Sequence, residues 1–204
     1  MQMGTQMGRP SKFEERSEAI MRAFEICVAR QGLAATTLND VAVEAGLPRS
    51  LVRYFMGNRD EMVDRLVGRL MARAETSLSR VRDARGDAGL EGLLDLYFGE
   101  VFANELSNTV MGELWHLARE DDHVRNRVKD VYTYAIGQLS GAMKREGRGA
   151  SDAERQSAAY TILSIALGDS SLVDFGIASQ ERSTLRAAAD LIIDHMAPVR
   201  EGTP

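Results

Sequence analysis

Residues 36–62 read TTLNDVAVEAGLPRSLVRYFMGNRDEM. The pattern is a short helix, a tight turn, a second short helix and the start of a third. Thr37 is placed to cap the first helix, and Asp40 follows at the spacing of a capping box. Leu38, Val41, Ala42 and Ala45 recur on one helical face. Gly46 fits the left-handed residue that ends such a helix. Leu47, Val52 and Met56 are expected to bury against the first helix, which leaves Arg49, Ser50 and Arg53 pointing away from it. A two-helix unit with two arginines on its outer face suits entry into a DNA groove.

Working outward, the chain reads as helices throughout. Met1 to Pro10 has no periodicity and is expected to be a flexible arm, with Gly8-Arg9-Pro10 suited to an AT-rich minor groove. Ser11 and Glu14 form a capping-box pattern ahead of a helix to about Gln31, whose apolar stripe is Ile20, Phe24, Cys27 and Val28. Gly32 stops it. Asn58 and Glu61 repeat the box at the head of a long helix expected from Arg59 to Arg82, with Met62, Leu66, Leu70 and Ala74 on one side. The Gly- and Asp-rich run from Asp83 to Gly89 marks a loop. Further helices are expected over Leu90–Glu105, Asn108–Ala118, Asp122–Arg145, Ser151–Phe175 and Gln180–Met196.

Composition sets the bounds. The 204 residues carry a net charge of −5, with 44% hydrophobic residues. A chain of this length buries roughly 70% of its unfolded surface. No run approaches the roughly 18 apolar residues of a membrane span, and no basic-then-apolar leader opens the chain. Cys27 is the single cysteine, which excludes an internal disulfide and fits a reducing compartment. The expectation is a soluble, cytoplasmic protein. Residues 1–60 carry a net +1 and the remainder −6. The cations of the first part gather in the arm and around the second motif helix, a modest footprint for nucleic acid.

At the motif the sequence resembles the TetR family of bacterial transcriptional repressors. That family's pattern has the form T-x-x-x-I-A-x-x-A-G-V-S-x-x-T-L-Y-Y-H-F-x-S-K-x-x-L. Thr37, Val41, Ala42, Ala45, Gly46, Leu47, Val52, Tyr54, Asn58, Arg59 and Met62 fall on it without a gap. Five positions depart: Pro48 stands for Ser, Leu51 for Thr, Arg53 for the first Tyr, Phe55 for His and Met56 for Phe. Proline starts a helix well but offers no capping hydroxyl. The run Glu113-Leu114-Trp115-His116-Leu117-Ala118 also resembles the second domains of several members.

The resemblance implies an all-α protein. A flexible arm (1–10) would precede an N-terminal three-helix DNA-binding domain with the helix-turn-helix (11–58), followed by a larger C-terminal helical ligand-binding and dimerisation domain (59–204). It implies a sequence-specific regulator, a repressor released from a near-palindromic double-stranded DNA operator by a small-molecule effector, acting as a homodimer with no cofactor. Position by position, Arg49, Ser50 and Arg53 would face base edges and Leu51 a thymine methyl, while Thr37, Tyr54 and Arg59 would hold phosphates. Tyr97, Phe98, Phe102, Met111, Trp115, His116, Tyr132 and Met143 form an aromatic and Met-rich set suited to an effector pocket.

The last two helices are the expected dimer surface. Ser164, Gly168 and Ser171 permit close approach, and Leu185, Ala188, Ala189, Ile192 and Met196 supply an apolar stripe. The competing readings are a DNA-binding protein without a small-molecule effector and an all-helical metal-dependent enzyme, the latter since Glu113-x-x-His116 and Glu120-x-x-His123 have the spacing used by di-iron bundles. The two pairs flank one turn instead of standing on facing helices, so an enzyme is not expected.

Overall fold

The structure, a computed structural model, describes residues 12–85, 89–100, 105–177 and 182–196. The arm, the Ser11 cap, Phe102 and Pro198 lie outside the described residues. Every described element is helical and no β-strand occurs among the described residues. The chain divides into two compact units, Met1–Leu66 and Val67–Pro204, and the division falls within one helix.

The first unit contains α1 (Lys12–Gln31), α2 (Leu38–Ala45), α3 (Arg49–Met56) and the opening turns of α4 (Arg59–Arg85). Helices α1, α2 and α3 pack on one another. The expected stripe of α1 is fully buried, with Ile20, Phe24, Cys27 and Val28 all closed to solvent. Val41, Val52, Met56, Val63 and Leu66 are buried with them. Each such side chain contributes about 1.5–3 kcal/mol by leaving water. Val63 was not on the face expected for α4 and lies buried beside Leu66. Gly32 ends α1 at φ 84°, donating its N–H to the Val28 carbonyl at 2.8 Å.

The second unit contains the rest of α4, then α5 (Leu90–Asp95), α6 (Glu105–Leu117), α7 (Asp122–Arg145), α8 (Asp152–Asp174) and α9 (Arg182–Asp194). Its core is built from Leu78 of α4, Leu93 and Leu94 of α5, Leu139 and Met143 of α7, Ile162 and Leu163 of α8, and Ala189 and Ile193 of α9. The turn between α7 and α8 is tied by Arg155, whose guanidinium donates to the Gly149 carbonyl and pairs with Asp152 at 2.5 Å.

The single helix expected over Leu90–Glu105 is not what forms. After Asp95 the chain widens into a π-helical turn, Leu96–Glu100, and Glu105 begins α6. The reason is the breadth of the apolar run. Leu93, Leu94, Leu96, Tyr97 and Phe98 cover more of the circumference than one α-helical stripe holds. The wider turn shifts the register, and Leu96 and Tyr97 both reach the core with Phe98 packed against it.

The stripe expected to face a partner from α9 is internal in part, with Leu185 and Ala188 half-buried. Ala189 and Met196 are buried and Ile192 packs against the same core, because α9 lies on α8 and needs that face for its own unit. The exposed side of α9 carries Leu191, and the exposed side of α8 carries Tyr160, Ser164, Gly168, Leu172 and Phe175.

Candidate nucleic-acid interface

The motif is held by backbone geometry that its sequence dictates. Thr37 caps α2 from an extended conformation, and its hydroxyl accepts from the Asp40 N–H at 3.2 Å. The Asp40 carboxylate accepts in return from the Thr37 N–H at 2.9 Å and from the Thr37 hydroxyl at 2.7 Å. Gln31 donates to the same carboxylate at 3.0 Å, so the end of α1 is tied to the start of α2. These bonds, Thr37 foremost, hold the Asp40 carboxyl below the usual carboxylate range. Gly46 closes α2 at φ 63° and ψ 32°, a conformation that costs any residue with a Cβ.

Helix α3 starts at Pro48, which makes no side-chain capping bond. Its inner face is Val52, Phe55 and Met56, all buried. Met56 fills its expected place in the core. Phe55 has a place of its own: its ring lies 4.7 Å from that of Phe13 on α1, and Tyr54 meets it edge-on at 5.5 Å. A histidine there would lose this aromatic contact, which accounts for the departure at that position. The sequence signal for it was Phe13 itself, an aromatic off the stripe of α1.

The outer face of α3 is Arg49, Ser50, Arg53 and Tyr54, all exposed, with Leu51 half-buried. Tyr54 is 74% exposed, an unusual position for a large ring. Asn58 and Glu61 cap α4 reciprocally, at 2.7 and 2.9 Å, and set Arg59 exposed on its first turn. Arg53 and Arg59 line one open cleft of about 200 Å³, together with Leu33, Thr36, Leu38, Gly57, Asn58 and Met62. Thr36, Leu38 and Asn58 were not expected at such a cleft; the capping role of Asn58 was the available signal. Arg49, Arg53 and Arg59 have no ion-pair partner among the described residues. Arg30 behaves differently, pairing with Glu44 at 2.9 Å across α1 and α2. Three cations are therefore presented without a counter-charge on one side of the motif.

Of the residues expected at an effector pocket, Tyr97 and Met143 lie in the core of the second unit, and Phe98 and Tyr132 pack against it. Burial raises the phenol pKa of both Tyr97 and Tyr132. Trp115 is 37% exposed and its ring lies 6.1 Å from that of Tyr132. Met111 is half-buried and His116 is exposed on α6. Among the described residues no group of three or more His, Cys, Asp and Glu side chains is gathered to hold a metal, the Glu113–His116 and Glu120–His123 pairs included. No helix among the described residues is long and apolar enough to cross a membrane.

No family model matches the chain. Over 127 residues it is 24% identical to the HTH-type nicotine-responsive transcriptional repressor HdnoR of Paenarthrobacter nicotinovorans, a stretch that covers 61% of this chain and 65% of that protein. Among solved structures it is similar to a TetR transcription regulator from Haloarcula marismortui, with 22% identity, coverage of 89% of this chain and 98% of the other, and a TM-score of 0.74. A TetR-family transcriptional regulator from Rhodococcus sp. matches at 21% identity, 88% and 98% coverage and a TM-score of 0.73. The architecture is thus an all-helical fold with an N-terminal helix-turn-helix, shared with these solved structures. More narrowly, it is the TetR fold.

Proposed function

We propose that this protein is a sequence-specific DNA-binding transcriptional regulator, a repressor that acts as a homodimer in the cytoplasm and leaves a near-palindromic operator when a small molecule binds. The observation that carries the reading is the outer face of α3, where Arg49, Ser50 and Arg53 stand exposed and the arginines unpaired while the inner face is fixed by burial. Arginine pairs bidentately with guanine O6 and N7, worth about 1–3 kcal/mol of discrimination per good pair. Leu51 supplies an apolar edge for a thymine methyl. Tyr54 and Arg59 reach phosphates, which position the protein without reading sequence. Thr37 takes a phosphate only by exchange, because its hydroxyl hydrogen and its N–H are both given to Asp40.

One α3 reads too few base pairs to be selective, so two copies place their recognition helices about 34–36 Å apart, or a multiple of it, on a two-fold site. The exposed side of α8, with Ser164 and Gly168 flanked by Tyr160, Leu172 and Phe175, is the surface proposed for pairing. The nicotine-responsive relative supports a small-molecule effector, and the aromatic set around Tyr97, Tyr132 and Trp115 supports its placement in the second unit. The effector shifts the dimer between states by preferring one of them. Selection of bound fragments from a random DNA pool, followed by a small-molecule screen for release, tests the reading. Recovery of no consensus would refute it.

A further inference from the structure

We propose that Phe13 is a positioning residue for DNA recognition: acting through Phe55, it fixes the ring of Tyr54 in the attitude that meets a DNA phosphate. The inference rests on the DNA-binding reading above and adds a residue of α1 to the recognition surface.

Phe13 stands at the head of α1, ahead of the part of that helix that is buried. The buried residues of α1 begin at Ile20, and from Lys12 to Ala19 every residue is exposed except Ser17, which is half-buried. Phe13 itself is 56% exposed. A ring left half in water adds little to the core. Its contact is with Phe55, at 4.7 Å between centroids and 44° between planes. Phe55 is 6% exposed, so its ring is held from beneath by α3's own packing and from the side by Phe13. Tyr54 then meets Phe55 at 5.5 Å and 85°, edge to face, while standing exposed on the outer face of α3. Both separations lie in the range over which aromatic rings attract, and the near-perpendicular arrangement is a favoured one. Three rings therefore run in sequence from the head of α1 to the outer face of α3.

Helix α3 has few other means of fixing an outward side chain. It has eight residues, and Pro48 gives it no side-chain cap. An exposed tyrosine with no ring beside it samples several rotamers, and ordering it on binding costs affinity. Phe55 removes that freedom by giving the Tyr54 ring a surface to rest on, and Phe13 holds the plane of Phe55. A phenol is neutral at pH 7. The hydrogen bond that Tyr54 gives to a phosphate therefore neutralises no charge and releases no counterion. It also carries no sequence information. Loss of Phe13 is thus distinguishable from loss of an arginine, since it weakens binding without altering salt dependence or base preference.

Titration of the full-length protein against the operator recovered from a random DNA pool, across salt concentration, tests this. The variants are Phe13→Ala, Phe13→Leu, Phe13→Tyr, Tyr54→Ala and the double change of Phe13→Ala with Tyr54→Ala. Phe13→Ala should weaken binding about fivefold, the size of one aromatic pair. The factor should be the same for every single-base variant of the operator, and the slope of log affinity against log salt should not change. Phe13→Tyr keeps the ring and should bind within about twofold of wild type, whereas Phe13→Leu keeps only apolar bulk and should fall with Phe13→Ala. With Tyr54→Ala already present, Phe13→Ala should have no further effect. A ring that serves stability alone would cost the same factor in both backgrounds. Urea denaturation confirms that each variant is folded under the binding conditions, and Phe13→Leu carries the comparison if Phe13→Ala is not. Unchanged affinity on loss of the ring, an equal loss with and without Tyr54, or a loss confined to one base position overturns the proposal. A wild-type protein that selects an operator but is indifferent to Phe13 refutes this inference alone; one that selects no operator refutes the regulator reading and this inference with it.

Discussion

Thr37 and Asp40 cap α2 reciprocally, each satisfying a backbone N–H of the other at 2.9 and 3.2 Å. Their bond network also reaches Gln31 on α1, so one short box fixes both the start of α2 and its docking. Thr37→Ala removes the cap and is expected to cost about 1 kcal/mol. The Asp40 carboxyl titrates below its usual value when folded, chiefly through its bonds to Thr37. A depressed folded pKa gives stability that is present above the unfolded value, about 4, and is lost as pH falls through the folded one. The gap between wild type and Thr37→Ala in urea denaturation should therefore be full at pH 7 and narrow below about pH 4. A gap that stays constant down to pH 2 contradicts this account of the cap.

Phe13 and Phe55 supply the contact that replaces the family's histidine, at 4.7 Å between ring centroids. Phe55→Ala leaves a hole under α3 and is expected to cost about 3 kcal/mol, within the range for buried aromatics. Phe13→Ala, at a half-exposed ring, should cost less. Thermal or chemical denaturation reports both, and equal losses would mean that Phe55 is not held by the core beneath it.

Gly147 and Gly149 form a matched pair in the turn after α7, with φ 67° and 80°. A Cβ at Gly147 meets nothing within 4 Å, whereas one at Gly149 falls 2.7 Å from Met196 and 2.9 Å from Arg155. Gly147→Ala should cost only the left-handed penalty of about 1–2 kcal/mol. Gly149→Ala should cost more and loosen the hold of Arg155 on the turn. Comparing the two denaturation midpoints decides it.

Gly168 sits on the exposed side of α8, and a Cβ there meets nothing within 4 Å. Gly168→Leu should leave a monomer as stable as before, or more so by the helix preference of about 1 kcal/mol. The same change should weaken the dimer by obstructing close approach. Sedimentation equilibrium of wild type and variant at micromolar concentration checks this, and an unaltered dimer would move the pairing surface elsewhere.

Much of this was legible from residues alone. The capping boxes Thr37–Asp40 and Asn58–Glu61 both form reciprocally, since each needs only local spacing. At the head of α8 the Ser151 hydroxyl accepts from the Glu154 N–H, while the Glu154 carboxylate accepts from the Ala150 N–H. The outward arginines of α3 followed from the period of its apolar residues. Periodicity failed where a face was too broad or could serve two purposes. The run from Leu93 to Phe98 overfilled one α-helical stripe, and the π-helical turn answers that surplus. The stripe of α9 suited a partner or its own core, and packing takes Ala189, Ile192 and Met196 of it to the core.

The central claim is that α3 reads bases while the first turn of α4 holds the backbone. Titration of wild type, Arg53→Ala and Arg59→Ala against the selected operator and its single-base variants, across salt concentration, tests it most directly. Arg53→Ala should relax preference at one operator position, at about 1–3 kcal/mol. Arg59→Ala should weaken every sequence alike and reduce the slope of log affinity against log salt by about one. Identical behaviour of the two variants, or a base preference lost with Arg59 and kept without Arg53, would contradict the account.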